Sequence, residues 1–160
     1  MTQTTTATQD IQLTQAGYDQ IIVELMQLKE KKLPIAIQRV AIARSFGDLS
    51  ENAEYHSARE DLSFIEGRIV ELETLKANAK IIQSSKKSKG QVDLGSTVTL
   101  RVGKDKHVYH IVGEWEANPE EKKISHQSPL GKALLGKVKG DEIEIEAPAG
   151  KLKYVVLSVG

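Results

Sequence analysis

The sequence predicts an α+β protein in two parts. An N-terminal antiparallel α-helical hairpin is followed by a small antiparallel sheet carrying one helix. Three observations predict this. Tyr55, Ala58, Leu62, Ile65, Ile69 and Leu72 alternate steps of three and four residues, which is the seam of a coiled coil. From residue 96 onward the pattern changes to β-branched runs and strict alternation. Between the two halves lies SSKKSKG, a polar basic linker at residues 84–90. The expected division is a disordered tail at 1–10, a helical hairpin at 11–83 with its tip at 47–54, the linker at 84–90, and a second domain at 91–160.

Taken in order, MTQTTTATQD is polar and lacks the basic start and apolar stretch of a signal peptide. Thr14 can cap a helix that begins near Gln15. Its apolar residues fall at Tyr18, Ile21, Leu25, Leu28 and Ile35, with Lys32 interrupting, and Val40 and Ile42 continue the stripe to Arg44. Pro34 lies inside this stretch. It removes one helical N–H and crowds the turn before it, so a kink or break is expected near Lys31 to Pro34. Gly47 is a natural stop. The second helix follows after only a few residues, so the pair must be antiparallel. Thirty or so helical residues at ~1.5 Å each make a rod of ~45–50 Å, with GDLSEN at its far end.

Beyond the linker, residues 96–102 and 107–112 read as strands, 143–146 alternates strictly, and 153–159 is β-rich. SPLGKALLG, residues 128–136, reads as one short helix starting at Pro129 and ending at Gly136. The helix packs on the sheet to close a compact unit.

Composition sets outer limits. Hydrophobic content is 39% and aromatic content 4%, too little for one large core but enough for a rod and a small domain. Basic and acidic side chains balance at 22 each, so net charge argues neither for nor against nucleic acid. With no cysteine, disulfides and thiolate metal sites are excluded, which fits a reducing cytosol. No apolar run approaches the ~20 residues of a membrane helix, so a cytoplasmic protein is expected.

The hairpin tip carries the chemistry. Asp48, Glu51 and Glu54 are spaced three apart in GDLSENAEYHSARE. One reading is structural. Asp48-Leu49-Ser50-Glu51 fits a capping box, with Asp48 as N-cap and Glu51 reaching back. Capping accounts for one acid or two, and less well for Glu54. The other reading is functional. Two carboxylates on one tight turn make half a site for a hard divalent cation, which keeps waters or phosphates as its other ligands. A partner must supply the rest, because the sequence holds no complete metal site, and His56 reads as a surface residue. Arg44 and Arg59 flank the tip. They either pair with Glu51, Glu54 or Glu60 along the helix faces or contact phosphate.

These residues resemble a known family. GDLSENAEYHSARE is similar to the tip signature of the bacterial GreA/GreB transcript-cleavage factors, nearer the GreA branch through Leu49 and the run at 53–56. The likeness extends over nearly the whole chain after residue 10, through Arg44, residues 66–69, 95–99, 111–113 and 124–137. It implies a coiled-coil hairpin joined to an FKBP-like domain. The implied activity is rescue of backtracked RNA polymerase by stimulating the polymerase's own cleavage of the nascent RNA 3′ end. The second domain would dock at the rim of the secondary channel while the rod enters it.

On this resemblance Asp48 and Glu51 help hold the second magnesium ion in the polymerase site and position the attacking water. The ion is shared with the polymerase and not stably bound by this chain. Arg44 and Arg59 match the basic patch that contacts RNA. Gln127, Ser128 and Pro129 match the polymerase-docking loop, where relatives often carry Asp or Asn at the position of Gln127. Ser128-Pro129 also reads as plain helix initiation. The chain would then be no enzyme in itself but a donor of groups to another enzyme's centre. Competing functions are a factor of the same shape that occupies the channel without stimulating cleavage, a prolyl isomerase with a helical appendage, and a coiled-coil adaptor. The isomerase needs an aromatic-lined pocket, for which the second half offers only Tyr109, Trp115 and Tyr154.

Overall fold

The computed structural model describes residues 10–82 and 90–160. The expected tail, apart from Asp10, and the expected linker, apart from Gly90, lie outside the described residues. The chain divides into two units. Among the described residues, 18–78 form the helical one, and 10–17 join 79–82 and 90–160 in the other. The described helices of the hairpin run from Gln15 to Asn78, inside the 11–83 expected from sequence, and residue 83 lies outside the described residues.

In the helical unit, α1 (Gln15–Gln27) and α2 (Leu33–Ser45) are separated by a π-helical turn, Leu28–Lys32. The Leu33 N–H donates to the Leu28 carbonyl, five residues back. Pro34 follows at the start of α2. A proline offers no N–H and crowds the carbonyl four residues before it, and one widened turn directly ahead accommodates both defects. The expected kink is thus a π turn.

That turn shifts the phase of the apolar stripe. Ile21, Leu25 and Leu28 are buried, and an unbroken heptad would next bury Ile35 and Ile42. The inserted residue passes the seam to Ala36 and Ala43, which are buried, with Val40 half-buried between them. Ile35 is left 66% exposed and Ile42 50%. The sequence expectation for these two isoleucines is corrected. Ala36 on α2 lines one groove with Ala58 on α3 (Ala53–Asn78). On α3 the expected seam holds, with Ala58, Ile69 and Leu72 buried and Tyr55, Leu62 and Ile65 half-buried. Its 26 residues span about 39 Å at ~1.5 Å per residue. No helix among the described residues is long and apolar enough to cross a membrane.

Among the described residues the second unit holds two sheets. β1 (Ile11–Leu13) and β2 (Ala79–Ile81) pair in parallel, and Leu13 is fully buried. The main sheet contains β3 (Thr97–Val102), β4 (Asp105–Val112), β5 (Lys123–Ser125), β6 (Glu142–Ala147) and β7 (Gly150–Val159) in the order β5-β4-β3-β7-β6. Four of these strands form antiparallel pairs, but β5 lies parallel to β4, so the sheet is mixed and not wholly antiparallel as expected. After β4 the chain makes a short 3-10 turn, Glu114–Glu116, and a loop, and re-enters along the same direction. Three-residue strands have no room for alternation, which is why β1, β2 and β5 carry no sequence signal.

One apolar core holds this unit. Val98, Leu100, Ile111, Ile143 and Val156 from the sheet pack with Val92 and Leu134. Leu134 comes from α4 (Pro129–Leu134), the one helix expected here.

Candidate functional site at the hairpin tip

The tip begins where α2 stops. Phe46 caps it, and Gly47 adopts φ +87°, a left-handed conformation that a side chain would resist. The Gly47 N–H donates to the Arg44 carbonyl at 3.4 Å. The chain then turns through residues 49–51 and enters α3 at Ala53.

The cap of α3 is Asn52, not Asp48. Asn52 Oδ1 accepts the Tyr55 N–H at 3.0 Å, the bond an N-cap makes to the third helical residue. Its amide nitrogen donates back across the hairpin to the Ala43 carbonyl at 2.7 Å and to Gly47 O at 3.4 Å. One side chain therefore satisfies both the end of α2 and the start of α3. The capping box expected at Asp48-Glu51 does not form, because Glu51 precedes the helix and cannot be its third residue.

Asp48 and Glu51 are left without a capping task. Asp48 Oδ1 accepts from the Ser50 hydroxyl at 2.8 Å and the Ser50 N–H at 3.3 Å, an Asx turn that orients the carboxylate within the loop. Glu51 has no hydrogen bond or ion pair among the described residues. Both side chains are exposed. Within the described residues no cluster of three or more His, Asp or Glu could hold a metal ion. The tip presents two hard oxygen donors and stops there.

Glu54 belongs to the scaffold. Arg39 Nε on α2 donates to Glu54 Oε1 at 2.7 Å, and Arg39 Nη1 also pairs with Asp61. The hydrogen bond to Arg39 and its nearby positive charge hold the Glu54 carboxyl below the ordinary glutamate value. The spacing of Asp48, Glu51 and Glu54 groups three acids, and the fold separates the third from the first two.

The flanking cations are also sorted. Neither Arg44 nor Arg59 pairs with Glu51, Glu54 or Glu60, as one sequence reading expected. Arg44 is exposed and its guanidinium has no partner among the described residues. Arg59 lies 5.9 Å from the centroid of the Tyr55 ring, which restrains it while leaving its donors open. Sequence reasoning missed Asn52 and Arg39. Asn52 was legible in principle, as an Asn directly before a helical run. Arg39 acts across the hairpin and had no local signal.

The second candidate surface is the loop before α4. Ser128 Oγ accepts the Gly131 N–H at 3.0 Å and donates to Ser125 O at 2.7 Å, so it is the N-cap of α4. Pro129 takes the first helical position. Gln127 is exposed beside them, with its N–H donated to Ser125 Oγ at 3.1 Å.

Comparison with known proteins decides the family. The profile described as "Transcription elongation factor, N-terminal" matches residues 11–81, and "Transcription elongation factor, GreA/GreB, C-term" matches residues 87–160. The chain belongs to the GreA/GreB transcription elongation factor family. A curated GreA of Paracoccus denitrificans is 45% identical over 151 residues, 93% of this chain and 96% of its own. One from Nitrosococcus oceani is 46% identical over 153 residues, covering 94% and 97%. Among solved structures, GreA factor homolog 1 of Thermus thermophilus is 29% identical at a TM-score of 0.45, over 95% of this chain and 99% of its own. Of the GreA/GreB family's two matched segments in this chain, the first contains the acidic tip and the second the α4 loop.

Proposed function

We propose that this protein is a transcription elongation factor that rescues backtracked or arrested RNA polymerase by stimulating the polymerase's own cleavage of the nascent RNA 3′ end. The observation that carries the proposal is the exposed pair Asp48 and Glu51, neither of which caps α3, a task Asn52 performs, or bonds Arg39, which holds Glu54. Membership of the GreA/GreB family and similarity to relatives named transcription elongation factor GreA support the same reading.

The residues divide the work. Asp48 and Glu51 fit a magnesium ion shared with the polymerase, since that ion accepts one or two carboxylates and takes its other ligands from water and phosphate. When bound, the ion supplies Lewis acidity toward the phosphoryl oxygens and lowers the pKa of a coordinated water. Asp48 and Glu51 orient and hold; Asn52 and the Ser50–Asp48 turn fix where they stand. A misplacement of ~1 Å in such a group can cost ~100-fold in rate. Arg44 and Arg59 contact the phosphates of the displaced RNA. Gln127, Ser128 and Pro129 dock on the polymerase at the mouth of its secondary channel. The chain contributes groups to another enzyme's centre.

The test is transcript cleavage. Backtracked elongation complexes with end-labelled RNA are treated with wild type, Asp48→Asn and Glu51→Gln at limiting magnesium. Wild type is expected to shorten the RNA, and each variant to lose about 100-fold in rate while still binding. A wild type that binds and never stimulates cleavage sinks the proposal and leaves a channel-occupying factor.

A further inference from the structure

A shallow groove of about 410 Å³ runs along one face of the helical unit. Ala36, on the small-residue part of the seam, is one of its buried lining residues. Ile35 and Phe64 also line it, and they stand 66% and 71% exposed. The sequence has only two phenylalanines, so leaving one of them bare on the rod is a costly use of a large apolar side chain. Large apolar side chains gathered on an exposed face mark an interaction surface.

Charge follows an order along this groove. Arg39 on α2 pairs with Asp61 on α3, so the two stand level. Lys32 precedes Arg39 by seven residues, about 10 Å along the axis at ~1.5 Å per residue. The helices are antiparallel, so Phe64 follows Asp61 in the direction in which Ile35 precedes Arg39. Ile35 and Phe64 therefore lie between two charged ends. At one end stands Lys32, which has no ion pair among the described residues. At the other, Arg39 serves two acids, Glu54 and Asp61, which leaves one negative charge in excess. A groove that is positive at one end, negative at the other and apolar between is complementary to itself when turned end for end.

We infer that this groove receives a second copy of the chain, with the two rods antiparallel about a two-fold axis near Phe64. Ile35 and Phe64 of each copy cover those of the other, and Lys32 of each meets the partner's Asp61. A two-fold interface makes every such contact twice. The groove is short, so the dimer is a weak one that forms at high protein concentration. The apolar centre gives a phosphate backbone no donor, and the excess acid at one end repels it. Pairing doubles the thickness of the rod and withholds it from a channel that one rod enters. This consequence rests on the function proposed above; the pairing itself does not.

The test is sedimentation equilibrium of the full chain, from micromolar to millimolar concentration. The samples are wild type, Phe64→Ser, Lys32→Glu and Asp61→Lys, each first shown by thermal melting to be folded. Wild type is expected to pass from monomer to dimer. Phe64→Ser should weaken association about ten-fold or more. Lys32→Glu and Asp61→Lys alone should each weaken it at least about three-fold, because each sets like charges against one another twice. An equimolar mixture of Lys32→Glu and Asp61→Lys should recover it, since both contacts across the axis then join opposite charges. A wild type that stays monomeric throughout overturns the inference, as does a mixture that associates no better than its components. If Phe64→Ser leaves self-association unchanged and instead weakens binding to polymerase, the groove serves polymerase and the inference fails. Complexes with polymerase should hold one chain each. Two chains per polymerase would sink the withholding consequence, and a wild type that dimerises but does not bind polymerase would sink the proposed function while the pairing stands.

Discussion

Arg39 on α2 holds Glu54 on α3 through a 2.7 Å bond from Nε to Oε1, across the mouth of the hairpin. This contact assigns the three acids of the tip to two tasks. Glu54 braces the helices, and Asp48 and Glu51 face solvent. Glu54→Gln should therefore leave transcript cleavage within about three-fold of wild type, against the ~100-fold loss for the other two acids. A Glu54→Gln variant as inactive as Glu51→Gln would overturn this division.

The same bond has a pH signature. The Glu54 carboxyl is lowered from the ordinary 4.5 by the Arg39 hydrogen bond and charge. A depressed folded-state value contributes stability above the unfolded value and loses it as pH falls through the folded one. The bracing is thus complete at neutral pH and disappears only on acidification below the usual glutamate range. Carboxyl titration by NMR should place Glu54 below a free glutamate, and Arg39→Ala should return it to the ordinary range.

Asn52 separates stability from positioning. Asn52→Ala removes the α3 cap and the tie to Ala43, and should cost about 1 kcal/mol of stability. Asn52→Asp keeps an oxygen for the Tyr55 N–H but loses the amide donor to the Ala43 carbonyl. It should melt close to wild type yet cleave at least about ten-fold more slowly, because the turn carrying Asp48 and Glu51 is released. Equal cleavage by Asn52→Asp and wild type at saturation would reduce Asn52 to a cap.

The π turn makes an unusual prediction for the rod. Ile35 is exposed and Ala36 buried, the reverse of an unbroken heptad. Ile35→Ser should change stability by no more than about 0.5 kcal/mol. Ala36→Leu should cost about 1–3 kcal/mol by overfilling the space between the helices. Thermal melts in which the order is reversed would show the seam running through Ile35.

Arg44 and Arg59 have no acidic partner among the described residues, so truncating them should be structurally mild. Arg44→Ala and Arg59→Ala are expected to weaken crosslinking to the RNA 3′ end with unchanged polymerase binding. Unchanged crosslinking would remove both from the RNA-contacting patch.

What the sequence determined by itself was local. The seam of α3, the stop at Gly47, the Ser128-Pro129 start of α4 and the alternation of β6 each follow from bonds and periods inside a few turns. The tip segment was legible for the same reason, as a contiguous run. The tertiary structure decided everything that needs two distant segments. It chose Asn52 over Asp48 as the cap, and the Asn52 amide also donates to the Ala43 carbonyl, which a carboxylate cannot do. It gave Glu54 to Arg39, which no spacing along one helix foretells. It moved the α2 seam from Ile35 to Ala36, because a π turn adds a residue that a heptad count cannot see. It also set Ile35 and Phe64 along one groove. Period and propensity act over neighbouring residues, whereas a carboxylate's partner is set by whatever cation the packed helices bring within hydrogen-bonding reach.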